Sequence, residues 1–415
     1  MKISSTTILQ CDPTSIVFTA SDEPNVSCPK TLSALRTAAH RISHIGEPVA
    51  FPTETVYGLG ANALNSDAVS RIFRTKGRPA DNPLIVHVSS LSMLRTLLPD
   101  GYRIPHSYEI LMKHFWPGAL TLLFPKREGV ISHLVTANQP TVAIRMPSHP
   151  VARALIAFSG RPLAAPSANT SGKPSPTRAE HVLKDLDGKV GVILDGGQCG
   201  VGLESTVADG LQEDGHIRIL RPGGVTFEDM TCVLQVDKSR GTDHIPRVLV
   251  HRRDYVDASM EQNPTTPGMK YRHYSPTAPI TLLLTQSRPS KSGSVSMQSF
   301  LTSLQEARSS TSGYLMRVGV LAAEDSDIWG YLLQDKRFEW HRYYLGPKDT
   351  PSTTAHRLFD GLISLDEHGV EHILIEAVSE EREGLAIMNR VRKAATDVRW
   401  ISLESFIPGD RTPST

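Results

Sequence analysis

The chain has 415 residues, with 44 lysines and arginines against 43 aspartates and glutamates, a formal net charge of +1, and 39% hydrophobic residues. That length exceeds one ordinary core and implies two or three domains. The near-zero charge excludes a protein that coats nucleic acid by bulk charge, although it permits a local basic cavity. The four cysteines, Cys11, Cys28, Cys199 and Cys232, stand far apart with no C-x-x-C pair. This argues against a zinc site or disulfide framework and favours a reducing compartment. No apolar run approaches the roughly 18 residues of a membrane span, and the N-terminus lacks a signal-peptide core, so no membrane association is expected and cytoplasm is the expected location.

In chain order, residues 1–30 are polar, carry Pro13, Pro24 and Pro29, and read as a loosely ordered extension. From 31 to 237, short β-rich runs alternate with helical patterns, as expected of an α/β domain. Strands are predicted at 48–51, 84–88, 120–125, 142–145, 190–195 and 217–221, and helices at 32–44, 67–76, 108–115 and 151–159. In the second helix Val69, Ile72 and Phe73 share one face, with Ser66 placed to cap the start and Gly77 the end. Residues 238–276 contain Pro246, Pro264, Pro267 and Pro276 and read as a linker, long enough to serve as a lid. Alternation resumes from 277 to 409: strands at 280–284, 318–322 and 372–377, helices at 298–308, 327–333, 353–365 and 385–395. That pattern predicts a smaller α/β domain with a parallel sheet.

The most informative segment is 165–176, Ala-Pro-Ser-Ala-Asn-Thr-Ser-Gly-Lys-Pro-Ser-Pro, with five hydroxyl or amide side chains, three prolines and one glycine. Prolines and Gly172 restrict and shape the backbone, so Ser167, Asn169 and Ser175 can be held in fixed directions toward phosphate or ribose oxygens. Taken alone, such a loop is more often a surface turn; several other polar segments at strand ends reverse that judgement. Thr53 and Thr55 follow the first strand and share a direction. Lys76, Arg78, Asn82 and His87 crowd a helix-to-strand transition where Asp81 is the only acid; Arg78 can grip phosphate in bidentate fashion while Lys76 acts as a point charge. Thr141 and Arg145 lie four apart on one strand face, with an internal ion pair to a carboxylate equally open for Arg145. Glu204, Ser205 and Thr206 end a glycine-rich turn, and Arg221 opens another. There is no P-loop, cysteine nucleophile or Ser/His/Asp pattern. His368 and His372 read as surface residues, and no metal site of the protein's own is expected. Such a site binds and aligns polyanions, with catalysis from position and charge.

These motifs resemble the YrdC-domain family of threonylcarbamoyl-AMP synthases. The resemblance rests on Pro-Thr-Glu-Thr-Val-Tyr-Gly-Leu-Gly at 52–60, Lys-Gly-Arg-Pro at 76–79, Ala-Ile-Arg-Met-Pro at 143–147, Ala-Pro-Ser-Ala-Asn at 165–169, Gly-Leu-Glu-Ser-Thr at 202–206 and Arg-Pro-Gly-Gly at 221–224. The linker run Pro-Gly-Met-Lys-Tyr-Arg-His-Tyr-Ser-Pro at 267–276 resembles that of the long two-domain form. The resemblance implies a twisted, mixed, open sheet with a concave basic cleft, plus a smaller C-terminal Rossmann-like α/β domain. It implies an adenylyltransferase converting L-threonine, bicarbonate and ATP, with Mg²⁺ accompanying ATP, to threonylcarbamoyl-adenylate and pyrophosphate. The product then serves a separate tRNA threonylcarbamoyl transferase complex. By motif position, Thr55, His87, Arg145, Ala165 and Ser205 surround threonine, while Arg78, Asn82, Thr141, Ser167, Ser175, Arg221 and Tyr274 hold ATP. Lys76, Arg78 and Arg221 are the expected catalytic cations, Lys76 steering bicarbonate. The linker residues Lys270, Tyr271, Arg272, His273 and Tyr274 are expected to close over the ATP pocket. Two rivals remain: an RNA-binding module reading shape and phosphate, and a carbamoyltransferase of the hydrogenase-maturation type, which would add cysteine-rich segments absent here.

Overall fold

The computed structural model describes residues 5–236, 246–251, 253–255, 273–285, 293–308, 314–332 and 334–403. They form two α/β units. Strand β1 (Thr7–Gln10) precedes a small antiparallel hairpin, β2 (Ile16–Phe18) and β3 (Pro24–Val26). Next come β4 (Val49–Phe51), β5 (Gly58–Asn62), β6 (Val86–His87), β7 (Leu120–Pro125), β8 (Thr141–Arg145) and β9 (Leu163–Ala164). The first unit closes with β10 (Val192–Asp195), β11 (Thr206–Asp209), β12 (Ile217–Arg221) and β13 (Val248–Val250). All but the hairpin join one mixed sheet in the order β1-β10-β4-β5-β9-β6-β8-β7-β11-β12-β13.

Two sequence expectations are corrected here. The described part of the stretch 1–30, from residue 5 on, is no loose extension: β1 pairs in parallel with β10 from Thr7 opposite Val192 to Gln10 opposite Asp195, and Cys11 is buried. An edge strand is held by its backbone ladder and leaves half its side chains in water, so its polar composition masks it. Likewise 238–276 is not linker throughout. The run Val-Leu-Val at 248–250 pairs in parallel with β12 and forms the opposite edge, too short to reveal a period. Residues 256–272, including Lys270, Tyr271 and Arg272, lie outside the described residues.

Local signals explain the elements that position the site. Helix Ser66–Lys76 buries Val69, Ile72 and Phe73, stops at Gly77 in a left-handed conformation (φ 61°), and is capped by Asn65, which accepts from Ala68 N, rather than by Ser66. Its last residue, Lys76, thereby arrives at the sheet's loop edge.

The second unit holds β14 (Ile280–Leu284), β15 (Val295–Ser296), β16 (Met316–Ala322), β17 (Phe338–Tyr344), β18 (His372–Glu376) and β19 (Asp397–Ser402). They form a wholly parallel sheet in the order β15-β19-β14-β18-β16-β17, as the predicted alternation requires. No helix among the described residues is long and apolar enough to cross a membrane.

The units share an apolar cluster. Val56, Leu203 and Tyr274 pack with Ile280, Phe359, Leu362 and Ile387. Polar contacts accompany it: His356 Nδ1 lies 3.0 Å from the Gly200 carbonyl oxygen, and Arg178 pairs with Asp360 at 2.9 Å. At Gly202 (φ 78°) a Cβ would stand 2.4 Å from the His356 Cα. Gly202→Ala therefore meets both left-handed strain and a backbone clash across the interface. We expect it to cost about 2–4 kcal/mol of stability, read as a lowered midpoint in thermal unfolding; an unchanged midpoint would mean the units are not seated against each other.

Candidate functional site: a cation-lined cavity beneath the second domain

A cavity of about 710 Å³, mouth included, opens where β6, β8, the loops after β4 and β9, the turn before β11 and the end of β12 meet. The loop 165–176 forms one wall and is fixed from several sides. The amides of Tyr57, Leu59 and Ala165 donate to the carbonyls of Pro176, Pro166 and Ile85. Lys76, only 2% exposed, donates from Nζ to the Ser167 carbonyl (2.5 Å) and to the Asn169 carbonyl. Burial first, and then repulsion from Arg78, holds its pKa well below the usual lysine value. Two accepting carbonyls offset part of that cost, so the ammonium works as a staple between the helix Ser66–Lys76 and the loop.

Three guanidinium groups face the cavity, those of Arg78, Arg145 and Arg221. Arg145, at the end of β8, donates to the Gly118 carbonyl (3.1 Å), to Thr55 Oγ1 (2.9 Å) and to Glu54 Oε1 (2.5 Å). Both readings of Arg145 thus hold together: it is ion-paired, and it lines the cavity. Arg78 lies on the carbonyls of Asn82 (3.2 Å) and Pro83 (2.9 Å). Arg221 donates to the Ser205 carbonyl through Nε (3.3 Å) and Nη2 (2.8 Å).

Glu204 organises the far wall. Its Oε1 accepts from Ser175 Oγ at 2.9 Å, and its Oε2 accepts from Nε of Arg390, a residue of the second unit, at 3.1 Å. Burial pushes its pKa up, but Arg390 and Arg221 outweigh this and bring it down to about 2, so the carboxylate is ionised. Tyr274 packs 5.2 Å from the Phe359 ring and hydrogen-bonds Glu204. Its φ of 67° is left-handed, an uncommon conformation for an aromatic residue and one that concentrates at functional positions. Burial and the Glu204 charge push its phenol up to about 12, so it stays a donor.

Ten of the expected residues line this cavity: Thr55, Lys76, Arg78, His87, Arg145, Ala165, Ser167, Ser175, Arg221 and Tyr274. Three do not. Ser205 sits behind Arg221, its Oγ 2.7 Å from Thr121 Oγ1. Asn82 is buried with its carbonyl on Arg78. Thr141 starts β8, four residues from Arg145, and its buried hydroxyl has no hydrogen-bond partner among the described residues. Sequence reasoning missed Glu54, Glu204 and Arg390 as parts of the site, whereas His273, expected over the ATP pocket, does line the cavity. The two acids were legible as single carboxylates flanked by hydroxyl residues, Thr-Glu-Thr at 53–55 and Glu-Ser-Thr at 204–206. Arg390 closes the run Gly-Leu-Ala-Ile-Met-Asn-Arg at 384–390, which resembles the two-domain form, but nothing in that run pointed to the cavity.

His87 and His273 both face the cavity, and each has a buried ring nitrogen with no hydrogen-bond partner among the described residues. Burial, then the Arg145 charge, depresses His87 to about 3; burial, then Arg78, depresses His273 to about 4. Both are neutral at pH 7.

A broad mixed sheet carrying a cation-lined cavity, with His273 and Tyr274 of the connecting segment on its wall and a second α/β unit beyond, defines a two-domain α/β protein with a site suited to anions. Known proteins agree. The Sua5–YciO–YrdC family model, described as "Telomere recombination", matches residues 41–223, and the "Threonylcarbamoyl-AMP synthase, C-terminal domain" model matches 225–396. A threonylcarbamoyl-AMP synthase of Schizosaccharomyces pombe is 44% identical over 91% of this chain and 92% of its own length. The Bacillus subtilis protein of the same name is 45% identical over 84% of this chain and 89% of its own. The crystal structure of P. abyssi Sua5 complexed with L-threonine matches with a TM-score of 0.71 and 38% identity, covering 96% of this chain and all of that one. The chain belongs to the threonylcarbamoyl-AMP synthase family, in its two-domain form.

The depressed histidines fix the sign of a pH effect. Unfolded, each takes a proton near pH 6.5; folded, each refuses it until about pH 3 or 4. The unfolded chain therefore binds more protons in between, and stability falls as pH drops from 6.5 toward 4. Glu204 adds stability that is lost only between 4.5 and about 2. We expect His273→Gln to flatten the profile between pH 6.5 and 4 by ~1.4 kcal/mol per pH unit. Parallel unfolding curves for variant and parent would contradict the buried neutral imidazole.

Proposed function

We propose that the protein is an L-threonylcarbamoyl-adenylate synthase: L-threonine, bicarbonate and ATP give threonylcarbamoyl-adenylate and pyrophosphate. The observation that carries this reading is the convergence of Arg78, Arg145 and Arg221 on one cavity walled by a rigid hydroxyl-rich loop. Relatives that cover nearly the whole chain bear the synthase name, and a P. abyssi relative was crystallised with L-threonine.

In this reading the amino acid lies by β6 and β8. Arg145 retains N–H groups beyond those given to Glu54, Thr55 and Gly118, and these meet the threonine carboxylate. Thr55, His87, Ala165 and Ser205 frame the rest; neutral His87 can accept or donate without repelling the substrate amine. ATP takes Arg78, Asn82, Thr141, Ser167, Ser175, Arg221 and Tyr274. Thr141, at the start of β8, keeps a buried hydroxyl with no hydrogen-bond partner among the described residues, a spare group for a ligand oxygen. The threonine amine attacks bicarbonate carbon, forming the carbamate and releasing water. A carbamate oxygen then attacks the α-phosphorus, and the bond to the β-phosphate breaks to free pyrophosphate. Arg78 and Arg221 stabilise the charge that develops on the departing oxygens. Lys76 keeps the loop in place, and the N–H left over by Ser167 and Asn169 is the one available for bicarbonate.

The nearby carboxylates, Glu54 and Glu204, are both tied to guanidinium groups, and the described residues hold no cluster of three metal-ligating side chains. The donor set thus suits Mg²⁺ carried by the triphosphate better than an ion held by protein ligands. The mixed anhydride product is consumed by a transferase acting on tRNA, in the cytoplasm.

With ATP, labelled bicarbonate and one amino acid at a time, threonine should yield a labelled adenylate and stoichiometric pyrophosphate. No pyrophosphate release alongside steeply salt-dependent RNA affinity would favour the binding-module reading, and release that does not require threonine would contradict the synthase reading. Arg221→Ala should lower kcat/KM roughly 100-fold; a loss under about threefold removes Arg221 from the phosphate site.

A further inference from the structure

Arg390 is 0% exposed, among the largest wholly buried side chains of the protein, yet it lies outside the cavity wall. It projects from helix Glu383–Ala394 of the second unit into the first. Nε donates to Glu204 Oε2 at 3.1 Å, Nη1 donates to the Pro222 carbonyl next to Arg221, and the guanidinium carbon stands 5.9 Å from the Tyr274 ring centroid. Three residues that it touches or neighbours, Glu204, Arg221 and Tyr274, do line the cavity. Two guanidinium groups, Arg390 from behind and Arg221 from within, therefore share the field of one buried carboxylate, and the charges of both act on it.

Glu204 directly precedes Ser205, whose carbonyl accepts from Arg221, so the carboxylate has a second cation within its field. Were Arg390 absent, the buried charge of Glu204 would be left unpaired, and its nearest compensation would be Arg221 itself. Arg221 would then be drawn toward Glu204 and neutralised, and would offer less to an incoming anion. We propose that Arg390 is a positioning residue for the phosphate end of the site: by occupying Glu204 it leaves the Arg221 charge directed at the triphosphate. In this way the second domain completes the electrostatics of the first. The inference rests on the synthase reading for its substrate, while its physical content concerns affinity for a polyphosphate.

The test compares four full-length proteins: parent, Arg390→Met, Arg390→Lys, and Arg390→Met combined with Glu204→Gln. Methionine keeps much of the buried volume and removes the charge; the second change removes the carboxylate that would capture Arg221. Binding of ATP and of inorganic pyrophosphate is measured by calorimetry, and KM for ATP and threonine by adenylate formation. Arg390→Met should weaken ATP and pyrophosphate binding at least tenfold while threonine KM changes less than threefold. The double variant should recover most of that loss, and Arg390→Lys should fall between. If Arg390 only staples the domains, the double variant is no better than the single one, and affinities for threonine and ATP fall together; that result overturns the proposal. Unchanged pyrophosphate affinity in a folded Arg390→Met protein overturns it too. Should Arg390→Met fail to fold, Arg390→Lys carries the comparison: a selective loss of ATP and pyrophosphate affinity sustains the proposal, and parental affinity refutes it. If the parent forms no adenylate, the synthase reading fails by itself, and the calorimetric comparison still decides the role of Arg390.

Discussion

A buried ammonium sets the shape of this protein's cavity. Lys76 lies at the end of a capped helix, and its Nζ donates to two carbonyls of the loop 165–176. Placing a cation in a dry interior is expensive, and only closely aligned acceptors make it tolerable. With its carbonyls held on Lys76, the loop places Ser167 and Ser175 on the cavity wall, Ser175 donating to Glu204. Gly172 at φ 93°, whose carbonyl accepts from Ser275 N, allows the loop to double back and meet the second domain. The requirement of one side chain thus orders a wall to which helix, loop and linker all contribute.

Charge balance follows from the same economy. Arg78, Arg145 and Arg221 face a cavity whose nearby acids, Glu54 and Glu204, are already engaged. Concentrated positive charge in a low-dielectric crevice is self-repulsive, and an anionic ligand relieves it. The hydrogen bonds to Gly118, Asn82, Pro83 and Ser205 hold each guanidinium in place, and Arg145 is ion-paired with Glu54 as well. Preorganised cations of this kind favour the more highly charged transition state of a phosphoryl-transfer reaction over its ground state.

Much of this was legible in the sequence. Clustered basic, hydroxyl and glycine residues at strand ends marked the cavity wall, because local motifs at strand ends converge in α/β sheets. The alternating pattern marked both sheets. The rest was hidden for physical reasons. Strands β1 and β13 are short edges whose pairing depends on backbone rather than side-chain hydropathy. Asn65 displaced Ser66 as a cap because either type suits the position. Glu204 belonged to a recognised motif, yet its partner Arg390 lies 186 residues away, and no local spacing encodes a contact between domains. Arg145 was left open between ion pair and ligand contact, and its five donors allow both.

The shared apolar cluster has a consequence for how this chain can be divided. Val56 and Leu203, both on loops of the first unit, and Tyr274 of the connecting segment are covered by Phe359, Leu362 and Ile387. A fragment ending after the eleven-stranded sheet would present that patch to water, next to the mouth of its own cavity. Such a severed half would seek replacement cover by self-association.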